Sequence, residues 1–355
     1  MKHPLSTTAL LIFLFVCAQL VGVALLSLNI GDITTDQDGV RSVKHDTTVV
    51  GDRPETSGGG SLLYIVIGVA VGTALMLVII KFKLIRFWKA WFLFAVWLST
   101  SIALDVIIPG TIALIVCFIV AVWKVYYPNA IVHNMTEIFM YAGIAILIAP
   151  LFTLWWAIAL LAIISVYDMI AVWQSKHMVV MAEAQRENKL FAGLYIPRRD
   201  TTPRPTKTPT LTDATRTDTH KPQHAAPTTR MVKTTDAAGK RVTKHIVMDE
   251  PPAPPSTTRT GKDDAAGGTK SGAILGGGDI AFPLIFSGVV MDWTITQGTS
   301  QMLALYQTLA VTIGATAALT LLFVFAKKDR YYPAMPFLSA GCLFGFAIVW
   351  LLQLR

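Results

Sequence analysis

Charge is what this chain has least of: only 15% of its 355 residues are Asp, Glu, Lys or Arg, against about 25% in typical globular domains. Cysteine is scarce too. Cys17, Cys117 and Cys342 each fall inside an apolar run, where a thiol behaves as a small hydrophobe, so no disulfide framework is expected. The seven histidines show no metal-ligand spacing, and no cofactor is expected. Acidic residues are outnumbered, 22 against 30 Lys and Arg, giving a net charge of +8. The basic residues gather at the ends of apolar runs and in a Thr/Pro-rich segment. With no folded basic face, nucleic acid is not an expected partner.

Apolar sequence is abundant. The chain is 53% hydrophobic with a mean hydropathy of +0.55, and soluble domains reach roughly 45–50% apolar even with Gly counted. Nearly all the polarity lies in residues 30–60 and 196–271. A window of about 20 residues finds nine candidate spans, at approximately 8–29, 61–80, 90–108, 111–127, 131–149, 151–173, 272–292, 302–326 and 333–353. The first has a signal-peptide-like start in Lys2 and His3. It is longer than a signal core and lacks a clear small-residue cleavage site, so it reads as a retained span. Pro109-Gly110 and Pro150 punctuate tight helical returns.

Lys and Arg mark the sides. Lys81, Lys83, Arg86 and Lys89 lie between spans two and three, and Lys327, Lys328 and Arg330 between eight and nine. The connections between spans three and four, five and six, and seven and eight carry none. The positive-inside rule then puts the N-terminus in the cytoplasm and the C-terminus outside. The expected fold is an all-α polytopic membrane protein of the cell membrane with nine transmembrane helices. It divides into 1–195 (helices 1–6, with the polar loop 30–60), a disordered cytoplasmic loop 196–271, and 272–355 (helices 7–9). The loop reading rests on Thr/Pro/Asp/Lys-rich sequence with few core formers.

Two residues stand out against this background. Asp168 lies in LLAIISVYDMIAVW and Asp279 in AILGGGDIAFPLIF. A charge near the centre of a transmembrane helix costs about 2.5–3.5 kcal/mol, so two cost roughly 5–7 kcal/mol. Counted from the span ends, both sit roughly 8–10 Å below the cytoplasmic edge of adjacent antiparallel helices. Facing carboxyls at one level can share a proton, as in aspartic proteases. Gly276-Gly277-Gly278 permits close packing or a departure from helix before Asp279, and Pro283 removes the i+4 donor for the Asp279 carbonyl. Tyr331-Tyr332-Pro333-Ala334-Met335-Pro336 interrupts regular helix where span nine begins; alone, it reads as an ordinary helix start.

Together these elements resemble the presenilin and signal-peptide-peptidase group of GxGD intramembrane aspartyl proteases. That pattern is YD on span six, GxGD on span seven and PAL before span nine; here it reads Tyr167-Asp168, Gly276 to Asp279, and Pro333-Ala334-Met335. The stretch MAEAQRENKLFAGLYIP also resembles the amphipathic segment after span six in presenilins. Met335 replaces the usual Leu, a volume-conserving exchange. The orientation and compact length resemble an archaeal presenilin homologue.

The resemblance implies an aspartic endopeptidase that cuts single-span transmembrane helices, with membrane lipid as surroundings. Asp168 and Asp279 would act as general base and acid around a water. Tyr167, Gly276, Gly278, Pro333, Ala334 and Met335 would shape the active site and bind substrate. An extended substrate could pair with backbone near Ser271 to Leu275. Accessory subunits are not expected to be required; a homo-oligomer and self-cleavage of the loop stay open. The main competing reading is an ion or proton channel or transporter built on the same carboxylates, with no internal repeat to support it. Prepilin-type peptidases lack the Tyr-Asp and PAL combination, and an inactive scaffold would not keep both carboxyls. Asp105, Asn134 and Glu137 read as interfacial or structural, as do Lys176 and His177, and the sequon at Asn134 falls at the membrane edge.

Overall fold

The computed structural model describes residues 5–37, 39–53, 58–127, 129–173, 192–197, 230–235, 241–246, 273–326 and 332–354. Two compact units emerge, Met1–Arg198 with Gly272–Arg355, and Arg199–Ser271. In the second unit, strands Arg230–Thr235 and Arg241–Ile246 pair antiparallel. The rest of the 196–271 loop after Pro197, like Lys176, His177, the stretch through Phe191, and Lys327 to Tyr331, lies outside the described residues.

The first unit holds nine apolar helices among its described residues: α1 (Leu5–Leu28), α2 (Gly58–Phe82), α3 (Ile85–Asp105), α4 (Gly110–Tyr126), α5 (Ala130–Ile148), α6 (Leu154–Trp173), α7 (Gly278–Thr296), α8 (Gln301–Phe325) and α9 (Met335–Gln353). Eight are long and apolar enough to cross a membrane, and the 17-residue α4 is shorter. The architecture is therefore that of a polytopic helical membrane protein. Helices form because a segment without water must satisfy its backbone internally. Breaks fall where the sequence withdraws that option. Pro109 stands immediately before α4, Asn129 caps α5 by accepting from the Ile131 amide at 2.9 Å, and Pro150 turns the end of α5 into one 3-10 turn.

At one end of the bundle the polar 30–60 segment folds back as an antiparallel hairpin, β1 (Ile30–Thr35) with β2 (Arg41–His45). His45 Nε2 donates to the Asp292 carboxylate near the end of α7 at 3.0 Å. Arg53 donates to the Asn29 side chain and the Asp46 carbonyl, both at 2.7 Å, and to the Ile146 carbonyl of α5 at 3.3 Å. Gln353 of α9 bonds Thr299 just after α7, so α9 finishes at this hairpin end.

The opposite end gathers the starts of α5, α7 and α9 and the finish of α6. Here β3 (Gly193–Ile196) pairs antiparallel with β6 (Ala273–Gly276), named in chain order after the strands β4 and β5 of the second unit. This changes one expectation. Span seven, expected from residue 272, starts as helix only at Gly278. Residues 273–276 are extended and hydrogen-bonded to β3, a competing pairing that a hydropathy window does not register.

Candidate active site

Asp168 projects from the last third of α6, a regular helix whose neighbouring turns are apolar, and it is buried. Its partner comes from α9. Pro333 and Pro336 carry no N–H, which leaves the Ala334 and Met335 amides as donors in that stretch. Such donors at a helix start have no intrahelical acceptor. Met335 N–H donates to Asp168 Oδ2 at 3.1 Å, with the Ala334 amide also directed at this carboxyl. One turn earlier, the Ser165 and Ser339 hydroxyls pair at 2.8 Å and fix the register of α6 on α9. Pro333 and Met335 are buried, and Ala334 is partly so.

Asp279 is built differently. It is the second residue of α7, half-buried, with its carboxyl facing the Gly276 amide and within electrostatic reach of Asp168. The span-counting depth is thereby revised. Asp168 stands five residues before the end of α6, whereas Asp279 stands one residue after the start of α7. The two meet because β6 carries the chain beneath the bundle before the helix begins. α7 itself is anchored by α1, where buried Gln19 donates to the Ile280 carbonyl at 2.9 Å.

The other residues named from the sequence divide. Gly276 and Gly278 are exposed beside Asp279, and Asp279 Oδ2 would lie 3.1 Å from a Cβ at Gly276. The Tyr167 hydroxyl pairs with Thr73 of α2 at 2.9 Å. Asp105 is partly buried at the end of α3, against the Pro109-Gly110 turn.

The close packing expected of the glycine run falls on the middle glycine, and the sequence reading missed what fills its space. A Cβ at Gly277 would sit 2.4 Å from the Tyr141 hydroxyl oxygen. Tyr141 lies on α5, one turn after Glu137, and donates to Glu137 Oε2. Of the two roles open to Asn134 and Glu137, interfacial or structural, they take the structural one and hold β3. Asn134 donates to the Tyr195 carbonyl and accepts from the Tyr195 amide, both at 2.8 Å. Glu137 Oε2 accepts from the Gly193 amide at 2.8 Å, and His133 Nε2 donates to the Gly193 carbonyl at 2.8 Å. A helix-face pattern of His133, Asn134, Glu137 and Tyr141 was visible in the sequence. What was not visible was a strand for them to grip. Among the described residues no cluster of His, Cys, Asp or Glu could hold a metal ion.

Comparison with known proteins adds to this geometry. The nine helices among the described residues form a polytopic membrane protein of presenilin fold: a solved structure of a presenilin family intramembrane aspartate protease matches it with a TM-score of 0.53. That match covers 97% of this chain and 99% of the other at 16% identity. Residues 44–206 match the family described as signal-peptide peptidase, presenilin aspartyl protease. The resemblance read from the three motifs is borne out by both findings. The matched segment contains Asp168; Asp279 lies outside it. No curated protein matches the chain.

Proposed function

We propose that the protein is an intramembrane aspartic endopeptidase that hydrolyses peptide bonds within single-span transmembrane helices. The observation that carries this reading is the convergence of Asp168 and Asp279 from α6 and α7 at one end of the bundle. One carboxylate accepts a proton from a water as it attacks the carbonyl, and the other donates a proton to the departing amine. Met335 N–H orients Asp168 from α9, and the exposed glycines leave an open approach to Asp279.

A helical peptide bond is shielded by its own turn, so the substrate must unwind locally. An extended segment gains backbone partners by strand addition. The outer edge of β3 is already taken by His133, Asn134 and Glu137. That leaves the outer edge of β6, around the exposed Ile274 and immediately before Asp279, for the substrate strand. The dyad end faces the cytoplasm, as the distribution of Lys and Arg between spans suggests.

The test is cleavage of a single-span model substrate by the purified protein in detergent, beside Asp168→Ala and Asp279→Ala. Cleavage by the parent and its loss in both variants is the expected result. Equal cleavage by either variant would overturn the dyad. A folded parent that conducts protons or ions in proteoliposomes and cuts nothing would replace this reading with the transport one.

A further inference from the structure

The most demanding polar group in the bundle is one that the proposed chemistry does not use. Glu137 is 0% exposed and Lys124, its ion-pair partner on α4, is 6% exposed. A buried pair of this kind is weak as a source of stability, because desolvation offsets much of the attraction. Its other bonds suggest what it is for. The two carboxylate oxygens are divided between partners: Oε1 takes the Lys124 ammonium, while Oε2 takes the Tyr141 hydroxyl and the Gly193 amide. Gly193 is the first residue of β3, paired with Gly276, and its φ of +149° and the 2.2 Å from its missing Cβ to the Leu275 carbonyl oxygen leave room for glycine only. Tyr141, only 2% exposed, seats its hydroxyl against Gly277, two residues before Asp279.

We propose that Glu137 is a positioning residue for the second aspartate. Through the Gly193 amide it fixes the β3–β6 sheet that leads into Asp279, and through the Tyr141 hydroxyl it fixes the Gly277 turn that carries it. One oxygen thus sets both approaches to the same carboxyl, and Lys124 supplies the countercharge that lets a carboxylate stand there. This inference rests on the proposed cleavage activity for its functional half only; the clamp itself is a property of the fold.

The division of the oxygens provides the test. Lys124→Met/Glu137→Gln removes the ion pair but leaves an amide oxygen for Tyr141 and Gly193. Lys124→Met/Glu137→Leu removes the charges and both bonds, and an apolar replacement of a buried pair generally folds. Tyr141→Phe keeps the strand bond and loses the hydroxyl that bonds Glu137 and seats against Gly277. Hydrogen exchange of peptides covering Ala192–Ile196 and Ala273–Gly276 is measured for each, with kcat and KM on the model substrate. In the Leu variant both strands should exchange faster and kcat fall by about tenfold or more, with KM little changed, since small misplacement of a catalytic group is enough for such a loss. The Gln variant should keep protection and rate near the parent. Tyr141→Phe should keep strand protection and lose rate. A Leu variant with parental exchange overturns the clamp; one with faster exchange and parental kcat overturns the positioning role. If the parent itself cuts nothing while the Leu variant loses protection, the cleavage reading fails and the clamp stands.

Discussion

Asp168 and Asp279 reach one site from opposite kinds of backbone. Asp168 stands inside a regular helix, and its carboxyl is held by the start of another helix, α9, whose prolines leave the Ala334 and Met335 amides to face it. Asp279 stands at a helix start of its own, after a strand and three glycines, and its surroundings are held indirectly by α1 and α5. A helix interior holds a side chain rigidly because every backbone group is already paired. A strand-to-helix junction holds it only as well as its neighbours do, but leaves the space beside it open. One carboxyl is held directly by a neighbouring helix and the other has exposed glycines beside it, and the proposed cleavage of an extended peptide would use both.

The sharpest way to break the comparison is to remove each carboxyl alone. Asp168→Asn and Asp279→Asn should each lower kcat on a single-span substrate by about 10³-fold, within the range general acid–base groups contribute. A variant that retains most activity would show that only one aspartate is chemical. Next in size is the junction. Gly277→Ala forces a Cβ against Tyr141 and should destabilise the protein by about 1–3 kcal/mol, read by thermal unfolding in detergent; Tyr141→Phe in the same chain, which removes the oxygen that the Cβ meets at 2.4 Å, should recover part of that cost relative to Tyr141→Phe alone. No recovery would mean that the clash does not govern that turn.

Smaller effects sharpen the Asp168 side. Tyr167→Phe removes the bond to Thr73 and should cost about 0.6 kcal/mol, the usual worth of a hydrogen bond between membrane helices. Because that hydroxyl points to α2, kcat should stay near the parent value, and a large loss of rate would put Tyr167 back at the chemistry. Met335→Leu should be the mildest. It keeps the amide that bonds Asp168 and conserves volume, so its stability change should stay below about 1.5 kcal/mol, with cleavage rate as the check on the amide's role.

How much of this was legible in the sequence follows the same division. Hydropathy located the spans, because a bilayer-length apolar run has one structural outcome. Asp168 was placed correctly within α6, since nothing near it competes with helix. Asp279 was given a depth from a helix that begins six residues later than span counting assumed. The segment before it, Ala273–Gly276, is apolar enough to pass for helix, and only pairing with the distant Gly193–Ile196 decides otherwise. The same long-range pairing hid Asn134 and Glu137, whose partners are backbone groups about 60 residues away in the chain. Local periodicity carries no information about such partners. The prolines around Ala334 were legible as a helix start but not as donors, because the acceptor belongs to α6.

The shortness of α4 has a consequence for the lipid rather than for the peptide. Its 17 residues give a cylinder of about 26 Å at 1.5 Å per residue, against a hydrocarbon core of about 30 Å. Hydrophobic mismatch of that size is relieved by thinning the bilayer locally. Ile115, Val116, Phe118 and Ile119 line the exposed face of this helix, so lipid tails are its neighbours. Lys124 lies near its end with Glu137 as partner, so strain at that end bears on a buried ion pair. Bilayer thickness then becomes a variable of the protein: reconstitution in thicker lipids should strain the α4 end of the fold first.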